Sequence, residues 1–379
     1  DAVSGRDIAM TTAQRLLAEG SAAGVKVVKE TFNSDTGDFM SLKIFEDGTH
    51  KVKVEKEQEE APHALPCFKP DDLFSVHARA TMARLLTDML ARFRVTVTEL
   101  IHRADLLEKL EASGTTWQHA IQKVAIAQAS TTTRPVAEIL KTLNGLCEKA
   151  VNRVYRDERA GRFEKPANAA AVAKLAARYA GDPEGSYLLS AAIAKFLADA
   201  ATWDEKLECL LTLTAAIPDE EAPRNLLAST LDVLVSELLN GSAALHSLLG
   251  EQPDLGHALL TLADLFLGRI APDAAKGGLA SLSASFAKGR FVSARAAIAQ
   301  RVLAELKSHR PLAADPTDAL RYLRQVASRL VMGQGPLLQQ DDIVAAITIR
   351  SRRLVQNETV LAYLKDITAS DERIERILT

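Results

Sequence analysis

The spacing of apolar residues constrains this chain more than any other feature. Val25, Val27 and Phe32, then Met40, Leu42 and Ile44, then Val52 and Val54 fall in runs that alternate with polar neighbours, the mark of strands with one buried face. From Asp71 onward the apolar positions follow helical spacing instead. A single block of strands followed by helices cannot build a central parallel sheet, which needs strands and helices in repeated alternation. The expected fold is mainly α, with a small three-stranded antiparallel β-meander over about residues 24 to 56. Asp35-Thr36-Gly37 and Asp47-Gly48 supply the expected turns, because Asp and Gly tolerate positive φ. Three strands are marginal alone, and Lys51 and Lys53 on the last one discourage further edge pairing. The meander is therefore expected to be covered by the chain's own helices, and any homo-oligomer to form through helical faces. A short helix is expected over 6 to 19, with Ile8, Ala9, Leu16 and Leu17 on one face.

Residues 55 to 70 combine an acidic run with three prolines and read as a linker. Asp71-Asp72 heads an expected helix to about Arg94. Thr96 and Glu99 form a capping-box pattern that opens another to about Ala112. The pattern returns at Thr115 with Gln118 and at Thr202 with Glu205. Asp315-Pro316 pairs a cap with proline at the first helical position, and Asp341-Asp342 heads the last helix considered. Helix pairs at this spacing would suit a solenoid unit of roughly 40 residues, but no residue signature repeats. An aperiodic multi-helix bundle is expected, with an irregular α-solenoid as the alternative. The expected divisions are 1–60 (short helix plus meander), 71–162 (helical subdomain) and 167–379 (larger helical domain).

Composition narrows the function. The 379 residues carry 46 Lys plus Arg against 49 Asp plus Glu, a net charge of -3, which argues against a globally basic nucleic-acid binder. Cys67, Cys147 and Cys209 are odd in number and far apart, so a reducing, cytoplasmic setting is expected. No run approaches the ~18 apolar residues of a spanning helix, and no leader-like segment is present. The chain begins at Asp1 and not at Met, so it is expected to be either processed or a fragment of something longer.

The motifs of common chemistries are missing. There is no C-x-x-C, no H-E-x-x-H and no phosphate-loop or G-x-S-x-G pattern. His63 and Cys67 lie in the linker without a second pair of ligands. His77 opens a helix but lacks the neighbours of a phosphotransfer site. Gly333-Gln334-Gly335 begins like a dinucleotide fingerprint, yet Leu338 fills the third glycine position and no strand precedes it. No metal and no cofactor is expected.

Two arginine clusters remain. On a helix from Asp342 to Val355, Ile343, Ile347 and Leu354 form one stripe, and Arg350 falls seven residues after Ile343 on the same stripe. A guanidinium there must snorkel, pair with a carboxylate or hold an anion. Arg350 and Arg353 are therefore candidate binding residues. Arg153 and Arg156 form the second pair, on the flank of a helix from Val136 whose stripe is Ile139, Leu143, Leu146 and Ala150; Glu148, Asp157 and Glu158 are interspersed and can absorb the charge. The expected function is a non-catalytic helical scaffold or regulatory domain that docks protein partners, of the kind used in bacterial-type signalling. The alternative is an enzyme, or a receptor for a small anionic ligand, with its pocket between helices.

Overall fold

The computed structural model describes residues 6–19, 24–33, 38–48, 65–271, 278–355 and 364. The chain is mainly helical and divides into two units, 1–63 and 64–379.

In the first unit, α1 (Arg6–Ala18) packs on β1 (Gly24–Asn33), which pairs antiparallel with β2 (Asp38–Gly48). The register runs from Phe32 opposite Phe39 to Val25 opposite Asp47, with a bulge between Val27 and Val28. The extra residue is Ile44 of β2, and on β1 the ordinary pleat sets neighbours on opposite faces: Val27 is buried while Val28 is 41% exposed. Asp47-Gly48, expected as a turn, instead lies within β2 opposite Val25 and Gly24. The expected third strand, and the turn at Asp35 to Gly37, fall outside the described residues. Of the face foreseen for α1, Ala9, Leu16 and Leu17 are half-buried around buried Ala13, while Ile8 is exposed.

The second unit opens with a 3-10 turn, Pro70–Phe74. Asp72 ties that turn down by accepting from the Phe68 and Lys69 N–H groups, so the first helix starts later than expected. It is α2 (Val76–Leu85), capped by Ser75, and α3 (Thr87–Phe93) follows across a break at Leu86. Next come α4 (Val97–His102) and α5 (Ala104–Ala112), separated by extended Arg103. Single helices were expected over both stretches. The breaks let Leu86, Met89, Val95, Leu100, Leu106 and Leu110 turn inward as a small core of their own. The chain continues with α6 (Thr115–Ala129), α7 (Val136–Arg159), α8 (Ala169–Tyr179) and α9 (Gly185–Phe196). After a 3-10 turn come α10 (Trp203–Thr214), α11 (Glu221–Asn240), α12 (Ser242–Leu249) and α13 (Leu255–Phe266). The last four are α14 (Leu279–Ala287), α15 (Val292–Lys307), α16 (Pro316–Met332) and α17 (Gln340–Leu354).

Capping residues act where expected at three starts. Thr96–Glu99 and Thr202–Glu205 both form reciprocal capping boxes, and Asp315 caps α16 ahead of Pro316. Thr115 does not, because Gly114 at φ +62° takes the cap position and Thr115 is already helical. Asp341 and Asp342 lie in the first turn of α17 without capping it; there they complement the helix dipole. The glycines at 333 and 335 form the turn between α16 and α17.

The largest core takes residues from α5 to α17, with Val154, Phe163, Val172 and Leu175 in it. Residues on both sides of 160–168 thus share one interior. At its centre α11 packs on α8, α9, α10, α12 and α15. Among the described residues no helix is long and apolar enough to cross a membrane.

Candidate docking cleft

A cleft of about 480 Å³ opens between two stretches of the second unit that are far apart in sequence. One wall is α2, α3 and the start of α4. The other is the end of α11, the start of α12 and Ser293 of α15, with Trp203 contributing. The first wall exists because the chain breaks at Leu86 and turns again at Arg94, a left-handed residue at φ 51°. Ser293 is held in place by Asp232 of α11, which accepts the Ser293 and Ala294 N–H groups at 2.9 and 3.0 Å.

Helix α2 presents a definite face to the cleft. At about 100° per residue, Val76, Ala80 and Ala83 share a stripe, and Arg79 and Arg84 flank it on opposite sides; all five line the cleft. Arg79 reaches Glu237 of α11, Nε to Oε1 at 3.3 Å, with the two side chains 13% and 12% exposed. The other Glu237 oxygen accepts the Thr98 N–H at 2.8 Å. Burial raises the Glu237 pKa from its ordinary value, with the Arg79 charge opposing that shift. Arg84 has no side-chain partner among the described residues. A single helix would have set Asp88 one turn after it as a partner; the break at Leu86 removes that geometry. Across the cleft, Gly241 begins α12 with no side chain capping the first turn, and Gly241, Ser242, Ala243 and Ala244 all line the opening.

The arginines singled out from sequence lie elsewhere and are engaged internally. Arg350 is 3% exposed on the predicted stripe, beside buried Ile343 and Ala346. It neither snorkels to the surface nor pairs with a carboxylate, and bonds backbone carbonyls instead. Its Nε donates to the Leu306 carbonyl at 2.8 Å, Nη1 to Arg310 at 2.6 Å and Nη2 to Glu305 at 2.5 Å. Arg353 donates to the carbonyls of Lys307 and Ser308. Together they cover the C-terminal end of α15, where the unpaired carbonyls and the negative end of the helix dipole suit a cation. Burial, then the charge of Arg353, lowers the Arg350 pKa from its ordinary value.

Arg153 reaches further than the local pairs expected of it. It bonds Asp71 and Glu184 and stacks on the Tyr187 ring with its guanidinium carbon 4.0 Å from the ring centre. Arg162 joins the same network through Asp157 and Glu184. Burial acts to raise the Asp157 pKa, but the bonds from Arg162 and Tyr187 outweigh it and hold the carboxyl below its usual value. Arg156 stays 71% exposed, with Asp157 at 3.4 Å. Beneath the network, His102 packs against Phe74 and Tyr187, its ring centre 5.2 and 5.3 Å from theirs. Burial pulls the His102 pKa down to about 4.

Two further features bear on chemistry. Glu99 and Lys206, 107 positions apart, form an ion pair with side chains 0% and 3% exposed, and burial lowers the Lys206 pKa. Burial also pushes the Cys147 thiol up to about 12 and raises those of Cys67 and Cys209, the reverse of what a nucleophilic thiol needs. Among the described residues no group of three or more His, Cys, Asp and Glu could hold a metal ion.

Sequence reasoning missed the cleft, because its walls lie about 140 positions apart and neither carries a binding or catalytic motif. No family model, curated protein or solved structure matches the chain.

Proposed function

We propose that residues 64–379 form an irregular helical bundle that works as a non-catalytic docking module and receives a segment of a partner protein in this cleft. The observation that carries the reading is the cleft itself, about 480 Å³ lined mostly by apolar and small side chains with Arg79 and Arg84 at its margins. Small residues, Ala80, Ala83, Ala91 and Ala243, leave the space open, while Val76, Leu90, Val97 and Trp203 supply apolar surface. The lining holds no histidine, cysteine, lysine or aspartate, and its single carboxylate is buried, ion-paired with Arg79 and bonded through Oε2 to the Thr98 N–H. That supports binding over catalysis, since no nucleophile stands beside a base. Packing of α11 on α15 and of α4 on α9 supports a bundle, because solenoid repeats touch only their neighbours. A cytoplasmic place in a signalling protein fits three free thiols.

A photoreactive side chain placed at Ala83 in the native cell tests the reading. It should capture one partner, and Ala243→Trp, which fills the opposite wall, should abolish the capture. The same probe at exposed Lys174 on α8 should capture nothing. Equal labelling from both positions, or labelling untouched by Ala243→Trp, would sink the proposal.

A further inference from the structure

Resting on that docking reading, we infer that the cleft selects an acidic segment: a peptide stretch of the partner in which an Asp or Glu side chain adjoins an apolar one. The argument is charge complementarity. The charged residues lining the cleft are Arg79, Arg84 and Glu237. Glu237 pairs by charge with Arg79 and accepts the Thr98 N–H through Oε2, its Oε1 being buried without a hydrogen bond, so it offsets one arginine from beneath and leaves Arg84 uncompensated. Two nearby charges are also committed, and Asp88, exposed on α3, does not line the cleft. Asp232 is spent on the first N–H groups of α15, and Arg301 donates to the Ser242 hydroxyl at 3.1 Å.

The donors point to the same ligand. The terminal nitrogens of Arg79 have no hydrogen-bond partner among the described residues, and Arg84 has no side-chain partner at all. Guanidinium groups bind carboxylates through two parallel N–H bonds. On the opposite wall the first turn of α12 offers N–H groups that no side chain caps, at the helix end that favours negative charge. Between these donors lies the Val76, Ala80 and Ala83 stripe. A segment crossing α2 therefore meets apolar surface in its middle and a guanidinium at either margin. A basic segment would set like charges against Arg84, which specific interfaces use to reject wrong partners.

The test is selection of a displayed library of random dodecapeptides on the complete chain. Enriched peptides should carry Asp or Glu beside an apolar residue. Their binding should weaken about tenfold in Arg84→Glu, weaken with added salt, and be lost in Ala83→Trp. Arg84→Glu is the deciding variant because it leaves the buried Arg79–Glu237 pair intact; its far-ultraviolet circular dichroism should match the parent. Enriched peptides that are neutral or basic, unmoved by Arg84→Glu yet blocked by Ala83→Trp, would overturn the acidic selectivity and leave the docking cleft standing. Failure to enrich any peptide, or enrichment indifferent to Ala83→Trp, would overturn both.

Discussion

Arg350→Ala isolates what one buried cation does for the helical unit. The substitution removes three donated bonds, to the carbonyls of Leu306, Arg310 and Glu305, from a side chain that is 3% exposed. Bonds from a charged donor contribute about 1.5–3 kcal/mol each, so a simple sum would be about 4.5–9 kcal/mol. Water entering the truncated site recovers part of it. The net cost should therefore approach the ~3–5 kcal/mol seen when one member of a buried charged contact is removed. At ~2.1 cal/mol/K per residue, a unit of about 300 residues unfolds with an entropy near 0.6 kcal/mol/K. The melting temperature should then fall by about 5 to 8 °C, followed by circular dichroism, with urea unfolding supplying the free energy. Arg350→Lys keeps the charge but cannot fork to three carbonyls, so its loss should be about half as large. Exposed Arg352, two positions on, is the control, and Arg352→Ala should move the midpoint by under ~1 °C. An Arg350→Ala protein that melts with the Arg352→Ala control would refute the account of α15's C-terminus.

Further outcomes follow from other sites. Thr96→Ala and Thr202→Ala should each cost about 1 kcal/mol by urea unfolding, while Thr115→Ala should stay within ~0.5 kcal/mol; equal losses at all three would contradict the capping assignments. His102 has its folded pKa drawn down to about 4 from an unfolded value near 6.5. The unfolded state therefore binds the extra proton first, and stability should fall as pH drops from about 6.5 to 4, by roughly 3 kcal/mol in all. His102→Asn should flatten that part of the pH profile, and an unchanged profile would show that the histidine is not the cause. Lys206→Met leaves buried Glu99 only the Thr96 N–H and the more distant Arg103 at 4.0 Å and should cost ~3 kcal/mol, partly recovered by adding Glu99→Gln; a Lys206→Met protein as stable as the parent would remove the pair from the account. In Gly256→Ala the new Cβ would lie 2.2 Å from Tyr322 Cδ2, so overpacking should cost about 1–3 kcal/mol. A neutral result would mean that Tyr322 can move aside.

Local signals were legible and distant ones were not. Thr96 with Glu99, Thr202 with Glu205, and Asp315 before Pro316 mark helix starts because each cap is completed within three or four residues. The stripe of α17 was equally readable, and it placed Arg350 inside. Its partners were not readable, since they are backbone carbonyls some 40 to 45 positions earlier, and a carbonyl has no letter of its own in a sequence. The same blindness hid Lys206 behind Glu99. The breaks at Leu86 and Arg103 carry no glycine or proline. Leu86 turns there because the small core of Met89, Val95 and Leu100 rewards its burial, which is a tertiary override of helix propensity. The cleft inherits that blindness, because its first wall exists only once the helix breaks.

Helix α15 is held at both ends by residues that are not its own. Asp232 of α11 takes its first N–H groups, while Arg350 and Arg353 of α17 take its last carbonyls. Helix ends ordinarily fray, so their amides exchange with solvent through small local openings. Here fraying at either terminus means withdrawing a charged side chain from a neighbouring helix. The end turns of α15 should therefore exchange hydrogen at rates close to those of its middle, as one cooperative block with α11 and α17. Its boundaries belong to the tertiary structure, and they should melt with it.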